Sequence, residues 1–115
     1  MPSDYQSHRY WQKLIGQSVT RFLLLRILRS GPAYGYQLVR AMSDVSDELI
    51  APTEGAIYTA LSDFTKHGLI NVEERVVNGR TQKVYTMTDH GRVAFRAAAT
   101  SFGRLLPLLR KLTTL

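Results

Sequence analysis

The sequence contains no cysteine. That excludes a disulfide framework and a thiolate metal site, and makes an intracellular, cytoplasmic setting the natural expectation. Long apolar runs are missing too. The longest, residues 22–25, is far too short to cross a bilayer, so no membrane association is expected. The opening residues carry no basic-apolar-small signal pattern. The three histidines, His8, His67 and His90, do not fall at a metal-ligand spacing. No Ser/His/Asp or Cys/His set, paired carboxylate or phosphate-binding loop stands out, so no catalytic residue, metal or cofactor is expected. Internal repeats and low-complexity segments are absent as well.

Acidic residues are scarce, with 9 Asp and Glu against 15 Lys and Arg, a formal charge of +6. An excess of this sign favours an acidic partner such as nucleic acid or a membrane surface. Its distribution is uneven. Residues 1–30 hold five bases and one acid, and residues 88–115 hold five bases and one acid. Residues 31–68, between them, are net negative. At 115 residues the chain is one domain's worth with a limited core. Long apolar terminal helices on so short a chain favour oligomerisation.

The most informative pattern runs from residue 53 to residue 83. Thr53 is a good N-cap, and Glu54 places a negative charge in the first turn, where the helix dipole favours it. Ile57, Ala60, Leu61 and Phe64 recur as the buried stripe of a helix that stops at His67-Gly68. Thr53, Gly55, Tyr58, Thr59, Ser62 and Lys66 are left outside. Next comes a hairpin centred on Asn78-Gly79, a pair suited to a type I′ turn. That turn sets Val77 opposite Arg80, Glu74 opposite Lys83, Val72 opposite Tyr85 and Ile70 opposite Met87. The inner face is then Ile70, Val72, Tyr85 and Met87, with an opposite-charge pair farther out. A helix followed directly by a hairpin with Arg75, Arg80 and Lys83 near its tip is the plan of a winged helix-turn-helix.

Elsewhere the pattern is helical. Trp11, Leu14, Ile15, Phe22, Leu23, Ile27 and Leu28 predict a helix from about residue 9 to Ser30-Gly31-Pro32. A short helix is expected over residues 34–42, and a loop over residues 43–52. The last helix starts near Thr88, with Val93, Ala97, Leu105, Leu108, Leu109 and Leu112 as apolar surface beyond the needs of one small domain. Pro107 removes a helix hydrogen bond, so a kink is expected near residues 102–106. The expected organisation is a flexible arm over 1–8, a winged helix-turn-helix over 9–87 with its wing at about 69–87, and a dimerisation helix over 88–115. The fold class is α+β and mostly helical.

Three blocks resemble a known family. Gly31-Pro32-Ala33-Tyr34-Gly35-Tyr36-Gln37-Leu38 is similar to the GPxxGYEL start of the second helix in PadR-family transcriptional regulators. Ala56-Ile57-Tyr58-Thr59-Ala60-Leu61, followed by Gly68-Leu69-Ile70, resembles their SLYPAL recognition helix and its GLI exit. Val84-Tyr85-Thr86-Met87-Thr88-Asp89-His90-Gly91 resembles their YYRLTxxG wing strand and final-helix start. Order and spacing hold over about residues 14–100. The resemblance implies a repressor of the short, single-C-terminal-helix kind, dimeric through its first and last helices. Such proteins bind a pseudo-palindromic operator in double-stranded DNA and are released by a small molecule. Two departures from the pattern stand out: Thr59 replaces the usual Pro, and Ser62-Asp63 replace the usual basic residues. Asp63 opposes phosphate contact.

The candidate DNA-reading residues are Thr53, Gly55, Tyr58, Thr59 and Ser62, with Arg80 and Lys83 on the wing and Tyr36 and Arg40 on the second helix. None of the five on the reading helix is Arg, Asn or Gln, the usual bidentate readers of guanine and adenine. Thymine-methyl contacts, hydroxyl–phosphate bonds and DNA shape are expected to dominate. Glu54 could instead accept from a cytosine amino group. Gly55 either lets backbone approach a phosphate or packs closely against the second helix, and Lys83 either meets phosphate or pairs with Glu74. Tyr10, Trp11 and Phe102, on the two expected dimer helices, either pack an interface or line a site for a small aromatic or anionic effector. Two other functions fit the sequence: a winged-helix protein-interaction module without DNA binding, and a nonspecific architectural DNA binder.

Overall fold

The computed structural model describes residues 4–45, 50 and 52–114. Helix α1 covers His8–Arg29, strand β1 Ala33–Tyr34, helix α2 Gly35–Val45 and helix α3 Glu54–Lys66. The hairpin strands β2 and β3 cover Ile70–Val77 and Arg80–Met87, and helix α4 covers Asp89–Leu112. The sheet is antiparallel in the order β1-β3-β2. This is a winged helix-turn-helix, mostly helical, carrying one long helix at each end.

Local signals account for most boundaries. The Thr53 side chain accepts from the Ala56 N–H at 3.1 Å, capping α3 as its sequence implies. Gly68 takes φ +77° after the helix, and the Leu69 N–H returns to the Phe64 carbonyl at 2.9 Å. In the wing, Asn78 and Gly79 both adopt positive φ, and all four expected cross-strand pairs form.

Four particulars differ from the sequence reading. Tyr34 does not open α2; with Ala33 it forms β1, paired to Val84 and Tyr85, and the helix begins at Gly35. The helix also runs on to Val45, three residues into the expected loop, whose residues 46–49 and 51 lie outside the described residues. Val72 keeps its inner-face register opposite Tyr85 but is 37% exposed, whereas Val84, on the other face of β3, is 4% exposed. The physical reason is β1. It makes β3 the central strand, while β2 is an edge that leaves the helices behind after Ile70. At the N-terminal end, residues 1–3 of the expected arm lie outside the described residues, but residues 4–7 form a cap. Ser7 Oγ accepts from the Arg9 N–H at 3.1 Å, and Trp11 Nε1 donates to the Tyr5 carbonyl at 2.8 Å.

The core gathers one stripe from each inner element: Leu24 and Leu28 of α1, Leu38 and Met42 of α2, Ile57 and Leu61 of α3, and Ile70 of β2. Burying each such side chain contributes roughly 1.5–3 kcal/mol before entropy is counted. The wing is fastened to α4 at its base. The Thr88 hydroxyl donates to the carbonyls of Gly68 and Leu69, at 2.7 and 3.0 Å, and accepts from the Gly91 N–H at 3.0 Å. Gly91 is required there, because a Cβ on it would sit 2.1 Å from the Leu69 carbonyl oxygen.

The outer parts of the terminal helices have no such packing. Helix α4 continues unbroken through Pro107, yet Gly91 is its one buried residue. Leu105, Leu106, Leu108, Leu109 and Leu112 are exposed, as are Trp11, Leu14 and Ile15 on α1.

Candidate nucleic-acid interface

The exposed side of α3 carries Thr53, Gly55, Tyr58, Thr59 and Ser62, as the helical spacing requires. Tyr58 is the pivot of the surface. Its ring lies against Gly35, where a Cβ would come within 3.0 Å of the phenol oxygen. Gly35, the first residue of α2, thus makes room for an aromatic side chain on α3. Gly55 has a different environment: a Cβ there would meet nothing nearer than Thr53 Oγ1 at 4.0 Å. Close packing against α2, one of the two readings of Gly55, is therefore absent, and Gly35 fills that role instead.

Two shallow grooves meet at Tyr58. One is lined by Gly35, Tyr36, Tyr58, Arg80, Thr81, Gln82 and Lys83, so it joins the start of α2, the exposed face of α3 and the second wing strand. The structure thereby brings together Tyr36, Tyr58, Arg80 and Lys83, which are far apart in sequence. Tyr36 is 57% exposed and stacks on Tyr34 with ring centres 5.9 Å apart. The other groove follows α3 itself, along Tyr58, Thr59, Ser62, Asp63 and Lys66. Thr53 and Thr59 also border a larger cleft against α1, which Arg9, Lys13 and Arg21 line from the opposite side. Arg40 is exposed but lines none of these grooves.

Charges on the wing divide into tied and free. Arg75 is held by Glu73 on its own strand at 3.3 Å. Lys83 faces Glu74 in register, yet among the described residues neither Lys83 nor Arg80 is in an ion pair. Both residues line the groove. Thr81 and Gln82 join these surfaces without having been singled out from sequence, and Lys66, read as exposed but not as a DNA contact, joins them too. Lys66 was legible as the next exposed turn after Ser62, whereas the nearness of Thr81 and Gln82 to Tyr36 and Tyr58 follows only from the tertiary fold.

Asp63 is not an isolated negative charge. Arg21 Nη1 donates to its Oδ2, and His67 Nδ1 lies 3.2 Å from its Oδ1. The Arg21 hydrogen bond, above all, holds the Asp63 carboxyl below its usual value, with the charges of Arg21, His67 and Lys66 acting in the same direction. Beneath the groove, burial raises the Tyr85 phenol above its ordinary value, so it stays neutral.

The aromatic residues considered for an effector separate within the chain. Tyr5, Tyr10 and Trp11 form an edge-to-face series with centroids 4.7 and 5.1 Å apart. Phe102 stacks on Phe22 at 4.7 Å, and Phe22 in turn stacks on Phe95.

Comparison with known proteins adds an independent line. Residues 24–97 match the model of the transcriptional regulator PadR-like family. The Escherichia coli (strain K12) transcriptional regulator YqjI is 29% identical over 63 residues, which are 55% of this chain. The match covers 30% of that regulator, so the chain spans under a third of the curated relative's length. A PadR family transcriptional regulator from Eggerthella lenta DSM 2243 superimposes with a TM-score of 0.74 at 26% identity, covering 85% of this chain and 84% of that one. Bacillus subtilis PadR, solved in complex with operator DNA, superimposes with a TM-score of 0.64 at 23% identity. That alignment covers 70% of this chain and 45% of the Bacillus subtilis protein, and it speaks to the fold.

Proposed function

The chain belongs to the PadR-like family of transcriptional regulators, and from that premise we propose that it binds double-stranded DNA as a homodimer and represses transcription from a two-fold-related operator in the cytoplasm. One observation carries the reading: Tyr36, Tyr58, Arg80 and Lys83 converge on one groove beside the capped end of α3. A reading helix would present Thr53, Gly55, Tyr58, Thr59 and Ser62 to the major groove, while the wing lays Arg80 and Lys83 along phosphates or into the adjacent minor groove. Tyr36 and Arg40 are further phosphate contacts in this reading. With few bidentate base readers, specificity comes from half-site spacing, the wings and DNA shape. Bacillus subtilis PadR, which shares the fold, has operator DNA as its partner.

Dimerisation through α1 and α4 would cover Trp11, Leu14, Ile15 and the α4 leucines, apolar surface of a kind that marks an interface. Tyr10 and Trp11 of one protomer would then reach Phe102 of the other, and that junction would receive a small aromatic or anionic effector.

Band-shift titration on the DNA upstream of the chain's own gene, with random DNA as competitor, tests the reading. Retention on the upstream fragment against excess competitor is expected. No binding at low salt would favour a protein-interaction module instead. Equal binding to both DNAs with a steep salt slope would favour an architectural binder.

A further inference from the structure

An acid on the proposed DNA face needs an explanation. Asp63 lies one helical turn beyond Thr59 and shares the α3 groove with Tyr58, Ser62 and Lys66. A carboxylate at that place repels every phosphate that approaches the helix, whatever the base sequence. Its partner comes from another element. Arg21 stands in the middle of α1, 42 residues earlier in the chain. It donates to Asp63 while its guanidinium lies 5.6 Å from the centre of the Phe64 ring.

The pair is poorly explained as a fold stabiliser. The Arg21 and Asp63 side chains are 44% and 41% exposed. Ion pairs in such positions contribute little to folding, because solvent screens them and ordering two side chains costs entropy. Nor is Arg21 needed to end or cap a helix, since it lies in the interior of α1. What the contact does change is the charge that α3 presents outward.

We propose that Arg21 is a charge-masking residue of the DNA-binding face: from α1 it neutralises Asp63 and so permits phosphate to approach α3. The inference rests on the DNA-binding reading above. His67 is a weaker second mask, since it is cationic only when protonated and its Nδ1 is shared with the Asp63 carbonyl at 2.9 Å. Asp63 in turn positions Arg21 over Phe64, beside Thr59 on the wall of the α1–α3 cleft.

The alternative role for Arg21 is a direct phosphate contact, and the two roles give opposite results in a double-mutant cycle. Binding to a random-sequence duplex at low salt is the readout, because masking acts on phosphate and needs no operator. Arg21→Gln is expected to weaken binding by about three- to tenfold, the scale of one uncompensated charge near the backbone. Asp63→Asn alone should tighten binding. The double variant Arg21→Gln/Asp63→Asn has the wild-type net charge and should return to within about twofold of wild type, because the charge to be masked is gone. Arg21→Lys should keep most of the affinity. Thermal melting of all four should stay close to wild type, as the pair is exposed.

A double variant as weak as Arg21→Gln would overturn masking in favour of direct contact. Wild-type binding with no loss in Arg21→Gln would overturn the inference while leaving the DNA-binding reading intact. Failure of the wild-type chain to bind any duplex would remove both. Should Arg21→Gln not fold, the Arg21→Lys and double variants still decide the question: binding near wild type in both supports masking, and loss in the double alone refutes it.

Discussion

The inner elements and the outer parts of the terminal helices use apolar residues in opposite ways. On α3 the four stripe residues Ile57, Ala60, Leu61 and Phe64 are all 5% exposed or less. On α4, Leu105, Leu106, Leu108, Leu109 and Leu112 are 42–68% exposed. The first region is closed within one chain. The second presents a stripe that only another surface can cover. Charge divides the same way, since residues 53–68 are slightly acidic and residues 88–115 strongly basic. In the proposed DNA-binding reading, a helix whose own residues carry almost no positive charge relies on neighbours for attraction to DNA: Arg80 and Lys83 of the wing and, by the inference above, Arg21 of α1.

The contrast can be broken by substitution. Leu61, 1% exposed, should show the largest effect on folding: Leu61→Ala should cost about 2–5 kcal/mol in urea unfolding, through lost transfer energy and a residual cavity. A cost below roughly 1 kcal/mol would mean that the inner core is looser than its burial indicates. At the seam between the regions, Gly91→Ala forces a Cβ against the Leu69 carbonyl. A loss of about 2–3 kcal/mol is expected, read as a fall in Tm and early fraying of the wing-to-α4 junction. An unchanged melt would show that the wing base can shift aside.

Leu109→Asp tests the open region. The side chain is 44% exposed in the single chain, so the inner fold should persist while the dimer dissociation constant rises at least about 30-fold, the scale of one interface hot spot. A stable dimer by light scattering would move the interface off α4. Arg80→Ala should weaken binding to all DNA sequences and reduce the salt slope by roughly one; an unchanged slope removes the wing contact. The smallest expected effect is that of Gly55→Ala. Open space surrounds the position, so helix propensity should raise stability by about 0.5–1 kcal/mol. Weaker DNA binding in that more stable variant would show that backbone approaches phosphate there.

Acid should act on the same surface. The Asp63 carboxyl titrates lower in the folded chain than in the unfolded one. The stability it contributes is present above the unfolded value of about 3.9 and is lost as the pH falls through the folded value. Asp63→Asn should therefore lose that small contribution at neutral pH, converge with wild type below the folded value, and so flatten the acid side of the stability curve.

Much of the α3–wing region was legible because its signals are local. Thr53 reaches the N–H three residues on, Gly68 supplies positive φ at a helix end, and Asn78-Gly79 selects a turn that fixes every cross-strand pair. The groove residues Tyr36, Tyr58, Arg80 and Lys83 were also identified by type and exposure. Their convergence was not legible, since it depends on Gly35 admitting the Tyr58 ring between α2 and the wing.

By itself, then, the sequence determined the capped helix α3, the hairpin register and the amphipathic stripes, because each follows from spacings of two to four residues. Tertiary structure alone decided the rest. Strand β1 is two residues long and exists only because Tyr85 and Val84 arrive from some fifty positions away. Val84, in that pairing, is buried, while Val72 on the edge strand stays part-exposed. Gly91 is indispensable only against the Leu69 carbonyl, and Asp63 is neutral in effect only because α1 crosses beside it. Contacts between distant segments leave no periodic trace in either segment, so burial and charge balance at those points were settled by packing.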